Sequence, residues 1–120
     1  MKKLILYLSL SLSFLAIASL QAESASEIRI GSKKFTESVI LSEVITQHLQ
    51  NKGLTASHKD QLGGTRLLWK ALVQGELDIY PDYTGTIIYE ILQGEDISSD
   101  ADIKAALARH GVSMTAPLGF

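Results

Sequence analysis

Three short stretches of this chain combine residue types that can hold a small charged molecule. They are Gly31-Ser32-Lys33-Lys34-Phe35-Thr36-Glu37, Leu62-Gly63-Gly64-Thr65 and Asp82-Tyr83-Thr84-Gly85-Thr86. Each is rich in small or hydroxyl residues and opens a helical pattern. Lys33 brings a positive charge to the first corner. Tyr83 brings an electron-rich ring to the third, and the face of such a ring attracts a cation through its quadrupole. The hydroxyls of Thr84 and Thr86 can donate to a carboxylate. A site with one end suited to a cation and the other to an anion is what a zwitterion requires. Each residue also has an ordinary role open to it. Lys33 and Lys34 fit solvated surface lysines, Tyr83 fits rim packing, and Asp82 fits a turn or helix cap. Gly63-Gly64 can serve only to turn the chain, and Gly-Gly-Thr lacks the lysine of a phosphate-binding loop.

The elements that must position these corners follow from the hydrophobic pattern. Glu27-Ile28-Arg29-Ile30-Gly31 alternates like a strand, with Ile28 and Ile30 on one face. From Glu37 the period becomes helical. Leu41, Val44, Ile45 and His48 recur at i, i+3, i+4 and i+7, with Val39, Ile40 and Leu49 widening an expected inward stripe. Gly53 suits the left-handed position after a helix end. Residues 54–60 read as a second, more exposed strand. A second helix follows Thr65, with Leu68, Ala71 and Leu72 inward and Gly75 ending it. Leu77 to Tyr80 reads as a third strand, stopped by Pro81, which lacks an N–H donor. Helices are expected over residues 84–93 and 100–110, and a final strand over 112–118. Strand and helix alternating through short links favour βαβ units, so the fold class is α/β with a parallel sheet. In such a sheet the three corners gather at the carboxyl edge of the strands.

The first 22 residues have a different character. Lys2 and Lys3 precede a 17-residue uncharged run, residues 4–20, that holds four serines. Small residues follow near Ala22, which is the layout of a secretory signal peptide cleaved after that position. The run is short and diluted for a membrane span. The expected division is therefore a signal peptide over 1–22 and one α/β unit over 23–120. Taking Lys2 and Lys3 from the 11 basic residues leaves nine against 13 acidic ones, a net charge of −4. With no basic patch interleaved with aromatics, nucleic acid is not an expected partner. The chain has no cysteine, hence no disulfide, thiolate chemistry or lipid-modified amino terminus. His48, His58 and His110 show no metal-ligand spacing. No nucleophile–base pair is visible in the sequence, so an exported enzyme is the weaker of the two classes. No cofactor is expected.

Taken together, Gly31-Ser32-Lys33 with Phe35-Thr36-Glu37, then Leu62-Gly63-Gly64-Thr65, then Asp78-Ile79-Tyr80-Pro81-Asp82-Tyr83-Thr84-Gly85-Thr86 resemble the substrate-binding proteins of osmoprotectant ABC transporters. These are the glycine betaine, carnitine and choline binders of the quaternary-amine uptake class. The resemblance runs from Glu27 to Phe120, and Pro117-Leu118-Gly119-Phe120 shares it. It implies a type II periplasmic binding protein fold, of which the chain holds the amino-terminal part of the first lobe. It further implies a monomeric periplasmic receptor that passes a zwitterionic or quaternary ammonium ligand to an ABC permease in the inner membrane. Carried over residue by residue, Lys33 and Thr86 are implied contacts of the ligand carboxylate, and Tyr83 an implied wall of the cationic cage. Asp82 stands where the family often has Glu. Members of the family are much longer than this chain, so a truncated form that does not bind is the alternative reading.

Overall fold

Parallel pairing of two strands sets the frame of this computed structural model, which describes residues 26–119. β1 (Ile28–Lys33) and β2 (Ala56–Gly63) run side by side, joined by α1 (Thr36–Asn51). α2 (Thr65–Val73) follows β2 directly. The chain then passes the other edge of β1, where Ile79 makes a parallel bridge with Ile30. Gly31 N–H donates to the Ile79 carbonyl at 2.8 Å, and Asp78 N–H to the Arg29 carbonyl at 2.9 Å. β1 is therefore the central element, flanked on both sides. α3 (Thr84–Thr86) runs on into a π-helical turn at Ile87–Ile91, and α4 (Asp100–Ala108) begins at a serine cap. Ser99 Oγ accepts from Asp102 N–H at 3.2 Å there. The expected signal peptide lies outside the described residues.

Two expected strands take another form. Residues 77–80 make a bridge instead of a ladder, because the chain turns away at Pro81 after one β pairing. Residues 112–119 form no strand; the segment bends at Ala116 and Gly119 takes a left-handed φ of 91°. The third helix ends at Ile91 rather than near Gln93.

α1 also turns a different face to the sheet from the one its hydrophobic period suggests. Its buried row is Ser38, Ser42 and Thr46, spaced i, i+4, i+8. Ser42 Oγ donates to the Gly31 carbonyl at 2.7 Å, Ser38 Oγ accepts from Lys33 N–H at 2.8 Å, and Thr46 Oγ1 donates to the Ser42 carbonyl at 2.8 Å. Small hydroxyl side chains let the helix sit close to β1 while their polar atoms stay bonded, as burial demands. Ile40 and Val44, expected inward, are more than half exposed, and His48 is exposed too. Leu41 and Ile45 take an intermediate position at the rim of a groove.

Two apolar clusters hold the rest. Leu68, Ala71 and Leu77 form one, with Leu72 and Tyr80 against it. Leu92, Ile103, Ala106 and Leu107 form the other, with Trp69 and Ile87 among the side chains packed on it. Trp69 meets His110 edge-on, at 5.5 Å between ring centres. The first cluster presses on the sheet at Gly31, where an added Cβ would stand 2.5 Å from Leu77 Cδ1. Gly31→Ala is therefore expected to destabilise the fold by about 1–3 kcal/mol, the usual cost of overpacking. Urea unfolding checks this; an unchanged midpoint would show that Leu77 yields freely.

Candidate functional site

At the carboxyl end of β1 the pairing with β2 shifts register between Gly31 and Lys33. Gly31 pairs with Lys59 but Lys33 pairs with Gly63, so β2 carries extra residues at this point. Gln61 absorbs the irregularity with a left-handed φ of 49°. Its N–H donates to Ser32 Oγ at 3.0 Å. Lys34 N–H donates to the Gly63 carbonyl at 3.1 Å, which ties the first corner to the Gly-Gly-Thr corner.

The third corner is joined to the first by charge. Lys33 Nζ lies 2.6 Å from Asp82 Oδ1, and the two side chains are only 6% and 4% exposed. The same Oδ1 accepts from Tyr83 N–H at 2.8 Å. One carboxylate oxygen thus anchors Lys33 and the backbone of Tyr83. The other, Oδ2, is shielded from solvent and has no hydrogen-bond partner among the described residues. All three expected corners therefore meet at one edge of the parallel strands.

Tyr83 is partly exposed and lines a groove of about 830 Å³ between α1, α2, α3 and the 111–118 segment. Phe35, Ser38, Tyr80, Asp82 and Thr84 also line it. A hydrogen bond to the Glu37 carboxylate, then loss of solvent and the charges of Glu37 and Asp82, push the Tyr83 phenol above its ordinary range. Burial, followed by the Asp82 charge, does the same more strongly at Tyr80. Both phenols stay neutral at physiological pH and sense a negative local field. Lys33 is buried behind Asp82 rather than on the groove wall, and Thr86 lies beyond the lining on α3. The structure thus brings Lys33 and Tyr83 together through Asp82, while Thr86 stands apart from both.

Other charged groups nearby are already satisfied. Asp78 is clasped by Arg29: Nε donates to Oδ2 at 3.0 Å and the Arg29 backbone N–H to the same oxygen at 2.7 Å. These hydrogen bonds hold its carboxyl below the usual carboxylate range. A second arrangement was invisible in the sequence. Ser32 Oγ lies 2.9 Å from His58 Nε2, and His58 Nδ1 lies 3.0 Å from Glu43 Oε2. Serine, imidazole and carboxylate in that order are the parts of a nucleophilic relay. Here Ser32 is fully buried and already accepts from Gln61, so the chain fastens β1, β2 and α1 together. Asp82 and Phe35 are among the groove residues that the sequence did not single out for ligand contact. Their only signals were opposite charges on two corners and an aromatic residue within the first.

The family model described as the substrate-binding domain of ABC-type glycine betaine transport systems matches residues 26–120. The chain belongs to that family. This is a family of transport substrate-binding domains rather than of enzymes, and its members are periplasmic. The chain is 45% identical over 75 residues to the glycine betaine-binding protein YehZ of Escherichia coli K12, a match covering 62% of this chain and 25% of that protein. It is 41% identical over 92 residues to the glycine-betaine-binding protein of Pseudomonas aeruginosa, covering 74% and 28%. It is 33% identical over 110 residues to the carnitine transport binding protein OpuCC of Listeria monocytogenes, covering 90% and 35%. The chain thus spans about a quarter to a third of the length of these relatives. The structure of apo YehZ from E. coli superposes with a TM-score of 0.63 at 34% identity, covering 72% of this chain and 33% of that one. The α/β fold is that of type II periplasmic binding proteins, as the sequence resemblance implies.

Proposed function

We propose that this chain supplies part of the ligand site of a periplasmic receptor for glycine betaine-type quaternary ammonium compounds, serving an ABC permease in the inner membrane. The observation that carries this reading is the meeting of Lys33, Asp82 and Tyr83 at the strand edge, beside a groove with aromatic walls. A quaternary ammonium has no N–H to donate, so ring faces and negative charge are what can hold it. Tyr83 offers the ring, and Lys33, buried behind Asp82, gives the positive charge that draws a ligand carboxylate towards this corner. Thr86 completes the proposed set with its hydroxyl. Export through cleavage of residues 1–22, with residues 23–120 forming the binding part as a monomer, belongs to the same proposal. The chain acts by binding rather than by chemistry, in keeping with the burial of Ser32.

A single cation–π contact is worth about 0.5–2 kcal/mol, against roughly 8 kcal/mol for micromolar affinity. That falls short even of the roughly 4 kcal/mol of millimolar affinity, so this chain alone is expected to bind only weakly, which amide shift changes in NMR titrations can follow. Tyr83→Phe should retain most glycine betaine binding because the ring face survives, whereas Tyr83→Ala should weaken it about two- to thirty-fold. Lys33→Gln keeps a donor towards Asp82 but removes the charge. It should weaken betaine and carnitine, which carry a carboxylate, by about 1.5–3 kcal/mol more than choline, which has none. Equal losses for betaine and choline would remove Lys33 from the carboxylate role.

A further inference from the structure

We propose that Asp82 is the residue that makes this site refuse simple carboxylates and demand a ligand with its own positive charge. The inference deepens the proposed function and rests on it. A lysine in a binding corner would by itself attract any carboxylate. Here its charge is already met at 2.6 Å by a carboxylate that is almost wholly buried. With Asp82 and Glu37 both acidic and Lys33 basic, the groups around Tyr83 sum to a negative charge. Asp82 Oδ2 points the same way. It is a shielded anionic oxygen without a hydrogen-bond partner, on a residue that lines the groove. The Lys33 ammonium on Oδ1 offsets part of this carboxylate's charge, and Oδ2 remains the side that no donor meets. The second acid of the groove end, Asp78, does not share this property, because Arg29 holds both of its oxygens.

A plain carboxylate drawn to this corner brings a second anion beside Asp82, whose Lys33 partner is already engaged, and no positive charge of its own. A betaine brings the same carboxylate together with a fixed cation. At these short ranges and low exposure, opposite charges interact several-fold more strongly than in water. Asp82 therefore separates the two ligands by charge, while Tyr83 and Phe35 supply only faces that both can occupy.

The test compares glycine betaine with 3,3-dimethylbutyrate, which has carbon in place of the nitrogen and so the same shape without the positive charge. The 120-residue chain and its Asp82→Asn variant are titrated with each compound, and amide shifts of Phe35, Tyr83 and Thr84 are followed. The unaltered chain is expected to prefer betaine at least tenfold. In Asp82→Asn that preference should fall at least fivefold, with betaine weakened and the butyrate strengthened. A preference as large in Asp82→Asn as in the unaltered chain overturns the role given to Asp82 and leaves the betaine site standing. If betaine shifts none of these amides in the folded, unaltered chain, the site itself fails and this inference with it. Should Asp82→Asn not fold, Asp82→Ser removes the same charge while its hydroxyl can still accept from Lys33 and the Tyr83 N–H. The same fall in preference is expected there, and an unchanged preference is again the contrary result.

Discussion

Lys33→Met is expected to lower the unfolding free energy of this chain by about 3–5 kcal/mol, the cost of stripping one partner from a buried ion pair. The size follows from burial, since the Lys33 and Asp82 side chains are 6% and 4% exposed. Without the ammonium, Asp82 would keep the Tyr83 N–H on Oδ1 and the neighbouring Tyr80 hydroxyl, neither of which brings a positive charge. An exposed pair behaves differently and is worth about 1 kcal/mol or less. The paired change Lys33→Met/Asp82→Leu should recover most of the loss, because exchanging a whole buried pair for apolar side chains is often neutral or stabilising. Urea unfolding of the three proteins is the measurement. A loss below about 1 kcal/mol in Lys33→Met would show that water reaches the pair and that its burial does not constrain it. Recovery of stability with loss of ligand response in the paired variant would separate the two roles of Lys33.

Leu68→Ala is expected to cost about 2–5 kcal/mol, the range for truncating a large side chain in a packed core. Leu68 is fully buried in the cluster with Ala71 and Leu77, and Tyr80 packs against that cluster from the segment that leads to Asp82. The cavity would therefore open beneath the ligand corner. Leu68→Met, which nearly conserves volume, should cost less than about 1.5 kcal/mol. Denaturant midpoints give the stability, and amide shifts of Tyr83 report whether the corner moves. Equal costs for Met and Ala at this position would mean that shape, rather than lost volume, sets the penalty.

The order of elements was legible because it rests on local rules. Ile28 and Ile30 alternate as a strand residue pair should, the period changes after Thr36, and Gly63-Gly64 precedes a helix start at Thr65. Parallel β1 and β2 follow from a helix between two strands, and with them the gathering of the corners at one edge. The motifs that resemble the osmoprotectant binders were likewise local, and the family they suggested is the one the chain belongs to.

Three features were not legible, each for a physical reason. The inner face of α1 belongs to Ser38, Ser42 and Thr46, because close approach to β1 rewards small side chains whose hydroxyls find backbone partners. Hydrophobic period reports which residues avoid water, not how near a helix can come. The relay of Ser32, His58 and Glu43 joins three elements at a register shift that no residue pattern announces. The pair of Lys33 and Asp82 spans 49 residues of sequence. Sequence alone determined that a lysine corner follows a strand and that an acidic, aromatic corner exists. Only the tertiary structure decided that they share one buried carboxylate oxygen. Charge acts through space at a few ångströms, and that distance is set by how β1 packs against the segment running into Pro81.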